Sequence, residues 1–176
     1  EKNFLGKGIN LDTNLEVSEE TIAGRFVYSK PNFAYTDNTL FTSVKATTSD
    51  FLTDSGYKVK ETGFSLGTTY EQYENLFFSP EVSISLEDLE TNHTASSQRQ
   101  KQEGTYEDFY FNYGLNYDLR DSTYRPTSGN KITFYQELPI ISNNNEITNT
   151  LIYTQYKSLN PSADMIGKAS LYLKSV

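Results

Sequence analysis

The stretch DFYFNYGLNYDL, residues 108–119, decides how this chain is read. Phe109, Phe111, Tyr113, Leu115, Tyr117 and Leu119 take every second position, with Tyr110, Asn112, Gly114, Asn116 and Asp118 between them. A repeat of two is that of a β-strand, whose successive side chains point to opposite faces. One face of this strand is apolar and the other polar. The fold follows from what the apolar face touches.

The same repeat runs along most of the chain. GINLDTNLEV puts Ile9, Leu11, Leu15 and Val17 opposite Asn10, Asp12, Asn14 and Glu16. TIAGRFVYS puts Ile22, Gly24, Phe26 and Tyr28 opposite Ala23, Arg25 and Val27. In FFSPEVSISLED, Phe78, Pro80, Val82, Ile84 and Leu86 alternate with Ser79, Glu81, Ser83, Ser85 and Glu87. NKITFYQELP aligns Ile132, Phe134 and Leu138, and the last segment aligns Ala169, Leu171 and Leu173. In EITNTLIYTQY, residues 146–156, the apolar residues cluster and no face can be assigned. Turn-forming clusters such as SEE, TDSG, RPTSG and SNNN separate the segments, and residues 91–107 form the longest polar connection. Helical spacing persists nowhere for more than a turn. The expected fold is all-β, an antiparallel meander of about nine strands, which tends to curl or close.

Bulk composition narrows the class. The 176 residues carry 14 Tyr and 11 Phe but no Trp or Cys, and hydrophobic residues make up 36%. So aromatic a chain is not disordered. Its net charge of −8 disfavours nucleic acid as a partner. Without cysteine there is no disulfide framework and no thiolate zinc site. His93 stands alone in a polar stretch and reads as a solvated loop residue. No run exceeds three consecutive apolar residues, so a transmembrane helix is not expected, but a membrane β-barrel leaves little trace in hydropathy. The segment EKNFLGKG lacks an initiator Met, and both ends cut into patterned sequence, which reads as a piece of a larger protein.

Chemical motifs are sparse. Gly6-Lys7-Gly8 is too short for a phosphate loop, and Glu19-Glu20 and Glu87-Asp88 fall near turns, where solvated carboxylates are usual. A serine triad would need His93. No enzyme chemistry, cofactor or metal is expected.

The polar face separates two readings. In a soluble sandwich or small barrel it would meet bulk water and be crowded with charge. Here it is rich in small or uncharged groups: Ser79, Ser83, Ser85, Asn10, Asn14, Asn112, Gly114 and Asn116. Such residues suit a hydrated lumen whose side chains hydrogen-bond across the wall. Tyr28, Tyr57, Tyr70, Tyr117 and Tyr156 lie near segment ends, as in the aromatic girdles of membrane barrels. Tyrosine also favours strands in general, so a soluble lipocalin-like binder stays open beside a membrane barrel.

A turn decides between them by resemblance. YEDFYFNYGLNYDLRDSTYRPTSGNKITFYQELP resembles the middle of the barrel in the BamA family, the outer-membrane protein assembly factors of Gram-negative bacteria. Asp108, Phe109, Phe111, Asn112, Tyr113 and Gly114 match one family strand. Tyr124, Pro126, Thr127 and Gly129 match the family's turn, with Arg125 inserted between aromatic and proline. Asn3, Phe4, Leu5, Gly6 and Gly8 resemble an earlier periplasmic turn, and Pro31 and Phe33 the one that follows it.

The resemblance implies a sixteen-stranded transmembrane barrel preceded by POTRA domains. Residues 1–176 would supply roughly strands three to eleven as one partial barrel domain, an open piece without the POTRA domains or the closing strands. It would lie in the bacterial outer membrane and help fold and insert other barrel proteins. Its partners would be outer-membrane lipids, unfolded client barrels and assembly-complex lipoproteins. A porin-like passive barrel is the nearest alternative. On this reading Val82, Ile84, Leu86, Phe109, Phe111, Tyr113, Leu115, Ile132, Phe134 and Leu138 face lipid. Ser83, Ser85, Asn112, Gly114 and Asn116 face the lumen. The turns holding Asn3, Phe4, Leu5, Gly6, Gly8, Pro31, Phe33, Tyr124, Arg125, Pro126, Thr127 and Gly129 lie on the periplasmic side, and residues 91–107 outside the cell.

Overall fold

The computed structural model describes residues 3–4, 6–142, 145–160 and 165–176. Each alternating segment forms a strand. The strands are β1 (Asn10–Val17), β2 (Thr21–Lys30), β3 (Thr39–Phe51), β4 (Tyr57–Tyr73), β5 (Leu76–Thr91), β6 (Gly104–Asp118), β7 (Gly129–Ile141), β8 (Thr148–Ser158) and β9 (Ile166–Ser175). They pair antiparallel, each with its chain neighbour, in one open nine-stranded sheet ordered β1 to β9. A meander with short connections is the simplest way to satisfy every backbone group of consecutive strands.

Two expectations need correction. Residues 91–107 are not loop throughout: β5 continues to Thr91, β6 begins at Gly104, and a short helix, α1 (Ser97–Lys101), lies between them. Ser96 caps that helix, its hydroxyl accepting from Arg99 N at 3.3 Å. Helical periodicity cannot be read in five residues. Secondly, Gly129 is not within the turn but opens β7.

The connection carrying α1 is tied down by polar contacts. Asn92 Nδ2 donates to Leu52 O at 3.0 Å, while its Oδ1 accepts from Thr94 N at 2.8 Å and Thr94 Oγ1 at 2.6 Å. The amide is thus spent on joining two connections. The Arg99 guanidinium lies 4.4 Å from the Tyr57 ring centre. Leu89 and Ala95, the two buried hydrophobic side chains among the described residues, sit at this end of the sheet.

Register is pinned by close approaches as well as by hydrogen bonds. The Phe41 ring lies directly on Gly67, where an added Cβ would fall 2.4 Å from Phe41 Cζ and 2.8 Å from Pro80 O. The ring can swing aside, but the carbonyl belongs to the β4–β5 ladder. Gly67→Ala is therefore expected to cost about 1–3 kcal/mol. Urea unfolding of the detergent-folded chain would show it as a lowered midpoint. Adding Phe41→Ala should restore only part of the loss, and an unchanged midpoint in the single variant would contradict the packing.

Candidate functional site

The sheet has no apolar core between layers. Its site is the pair of faces. Cross-strand register places Val82 opposite Phe111 and Phe111 opposite Leu138. Ile84 meets Phe109, Phe78 meets Leu115, Leu115 meets Phe134, and Tyr117 meets Ile132. Leu86 and Tyr113 continue the same face, so the ten residues expected to share one surface do share it. This surface is open: Phe64 is 50% exposed, Ile84 48% and Leu171 52%. The face left open in β8 is now assigned. Leu151 pairs with Phe134 and Tyr153 with Ile132 on the apolar side, while Ile152 pairs with Thr133 on the other.

The opposite face carries Ser83, Ser85, Asn112, Gly114 and Asn116 together. Asn112 is 2% exposed and Ser65 6%, so polar side chains here are better buried than most apolar ones. They bond across the wall: Ser43 Oγ with Ser65 Oγ at 2.8 Å, Thr69 Oγ1 with Ser79 Oγ at 2.8 Å, Asn112 Nδ2 to Ser83 Oγ at 3.0 Å, and Thr133 Oγ1 to Asn116 Oδ1 at 3.1 Å. A cavity of about 460 Å³ opens on this face, lined by Arg25, Lys45, Glu81, Asn112, Tyr135 and Glu137 among others. Such an arrangement is the inverse of a soluble ligand barrel, where aromatic residues would line the cavity and charge would cover the outside.

The apolar face is bounded along the strands. On β5 it runs from Leu76 through Phe78, Pro80, Val82 and Ile84 to Leu86, which at about 3.3 Å per residue is roughly 33 Å of strand. At a tilt of about 40° that projects to about 25 Å, the height of a membrane barrel's apolar band. Beyond Leu86 the same face turns charged. Lys58 pairs with Asp50 at 2.8 Å, and Lys60 with Glu90 at 2.5 Å and Asp88 at 3.8 Å.

Tyrosines divide between the faces. Tyr28, Tyr70 and Tyr117 lie on the apolar one, with Tyr70 packed edge-on to Phe78 at 5.7 Å. Tyr57 and Tyr156 point to the polar one, so they do not belong to a girdle on the outer surface. One polar chain, invisible in the alternation of any single strand, interrupts the apolar face: Tyr113 Oη donates to Gln136 Oε1 at 2.8 Å, and Gln136 Nε2 to Asn149 Oδ1 at 2.5 Å. It depends on three strands in register, which periodicity within one strand cannot reveal.

In a meander, successive connections alternate between the two ends of the sheet. Residues 3–8, the β2–β3 connection with Pro31 and Phe33, and the β6–β7 connection with Tyr124, Arg125, Pro126 and Thr127 therefore share one end, where Gly129 opens β7. The connection with α1 lies at the other. Asn3, Phe4, Gly6 and Gly8 form a tight turn in which Gly8 N donates to Asn3 Oδ1 at 2.7 Å, whereas Leu5 lies outside the described residues. In the β6–β7 connection, Arg120 forks onto Asp118, Nε to Oδ1 at 2.8 Å and Nη2 to Oδ2 at 2.6 Å.

Asp121, unremarked in the sequence, organises that turn. It accepts from Thr127 N at 2.9 Å, Ser128 N at 3.2 Å and the Thr127 hydroxyl. These donors, the hydroxyl first, hold its pKa down at about 2. A carboxylate depressed below its ordinary value of about 3.9 stabilises the fold fully above that pH and loses the effect as pH falls toward 2. A carboxyl NMR titration should show Asp121 protonating near pH 2. The turn amides of Thr127 and Ser128 should shift with it, and a midpoint near 4 would refute the turn's geometry.

An open meander with a lipid-tall apolar face on one side and a hydrogen-bonded polar face on the other defines the wall of a transmembrane β-barrel. Comparison gives the family. The Omp85 superfamily domain matches residues 3–175, and the chain belongs to that superfamily. No curated protein matches it in a sequence comparison. Among solved structures it is similar to BamA from Haemophilus ducreyi lacking POTRA domains 1–3, with 21% identity and a TM-score of 0.74. The match covers 98% of this chain but 36% of that one, so the chain spans about a third of the length of the BamA it resembles.

Proposed function

We propose that this chain is wall of an outer-membrane β-barrel that folds and inserts other barrel proteins. The carrying observation is the inverted sheet itself, found in a chain of the Omp85 superfamily. On this reading the apolar face meets lipid and the polar face lines the lumen. The end with residues 31–33 and 124–128 is periplasmic, and the α1 connection faces outside. The role needs no bond-making chemistry: the wall holds a barrel whose strands template or admit a client strand, and client burial in lipid drives the reaction.

The test is reconstitution of the whole protein that carries this chain into liposomes, followed by addition of a urea-unfolded outer-membrane barrel. Accelerated client folding over empty liposomes is expected. Steady ionic conductance without any acceleration would replace the insertase reading with a passive pore.

A further inference from the structure

We propose that Glu81, Asn112 and Glu137 form a site for a hydrated divalent cation of the magnesium kind on the polar face. The three residues stand in one cross-strand row, Glu81 opposite Asn112 and Asn112 opposite Glu137 on successive strands. All three line the same cavity.

Asn112 shows what is missing. The side chain is 2% exposed, and its Nδ2 is used on Ser83, yet its Oδ1 is buried with no hydrogen-bond partner. An orphaned buried acceptor calls for a cation or a donor, since buried polar groups are ordinarily satisfied.

Charge points the same way. The cavity's acids on β5, β6 and β7 are Glu81, Glu87, Asp108 and Glu137, and its basic groups are Arg25 and Lys45 on β2 and β3. Lys45 is already paired with Glu61 at 2.5 Å. That leaves Arg25 against four acids, and a wall with an excess of one sign concentrates counter-ions.

The ligand set selects the kind of cation. Among the described residues no three acidic or histidine side chains converge to enclose a bare ion. Calcium, with its six to eight oxygen ligands, is thus poorly matched. Magnesium keeps several waters and is held by one or two carboxylates, which two glutamates and one amide oxygen on strands about 4.8 Å apart supply.

The whole protein that carries this chain, folded in detergent micelles, would be titrated with Mn²⁺ as a paramagnetic stand-in, reading the backbone amide of residue 112 by NMR. Saturable broadening centred on Asn112 and reversed by Mg²⁺ is expected. Glu81→Gln combined with Glu137→Gln should weaken the apparent affinity at least tenfold, and Asn112→Asp should strengthen it. Broadening that never saturates, or equal affinity in the glutamine variant, would overturn the site. So would displacement by argininamide but not by Mg²⁺, which would assign the row to an organic cation. If the glutamine variant does not fold, Asn112→Asp and the Mg²⁺ reversal decide. None of these outcomes depends on the insertase role.

Discussion

Phe111→Arg is expected to keep the chain from assembling in a bilayer. Phe111 sits between Val82 and Leu138 across the strands, with Phe109 and Tyr113 on either side along β6 and the Tyr113 ring centre 6.4 Å away. These four neighbours are apolar or aromatic. A guanidinium there has no partner and must be drawn through the middle of the apolar band. An arginine at the lipid-facing midplane of a barrel costs about 2–4 kcal/mol. Folding into liposomes, followed by the mobility shift between boiled and unboiled samples, would show loss of the folded band. The paired control is Asn116→Lys on the opposite face, which places a charge among polar groups and should fold nearly as well as the parent. If Phe111→Arg folds normally and Asn116→Lys does not, the two faces have been assigned the wrong way round.

Gly129→Val is the second large effect, and it acts through the backbone. Gly129 opens β7 with φ of 95°, a region side chains avoid. A Cβ there would fall 2.1 Å from Leu119 O and 2.9 Å from Arg120 Cα. Neither is the end of a flexible side chain. Relief requires pulling apart the start of β7, where Leu119 N donates to Asn130 O at 2.9 Å and Asp121 N to Ser128 O at 3.2 Å. Left-handed strain and overpacking each cost roughly 1–3 kcal/mol. A fall in the urea midpoint of the detergent-folded chain would report the sum. Gly8→Val separates the two contributions, because Gly8 has φ of 68° but nothing within 4 Å of the added carbon. It should show the strain alone. Equal losses at both positions would mean that the close approach at Gly129 carries no energy.

Much of the fold was legible because the strand repeat is local. A residue's face in β6 depends only on its parity, so Phe109 to Leu115 and Asn112 to Asn116 sort themselves without a structure. The β8 segment resisted because Leu151, Ile152 and Tyr153 are consecutive apolar residues, and parity cannot choose between Leu151 and Ile152. Register with Phe134 and Thr133 made the choice. Helix α1 stayed hidden because a single turn has no periodicity to detect, and its contacts to Ser96, Asn92 and Tyr57 lie outside its own five residues.

By itself the sequence determined strand number, the two faces of most strands, the absence of a helical span and the resemblance to a barrel family. All of these are properties of one strand or one turn at a time. Tertiary structure alone decided which residues of different strands meet. It put Glu81, Asn112 and Glu137 in one row, joined Tyr113 to Gln136 and Asn149 across the apolar face, and gave Asp121 its three donors. The reason is physical. Parity is set by backbone pleat within a chain segment, whereas register is set by turns and cross-strand packing between segments far apart in sequence.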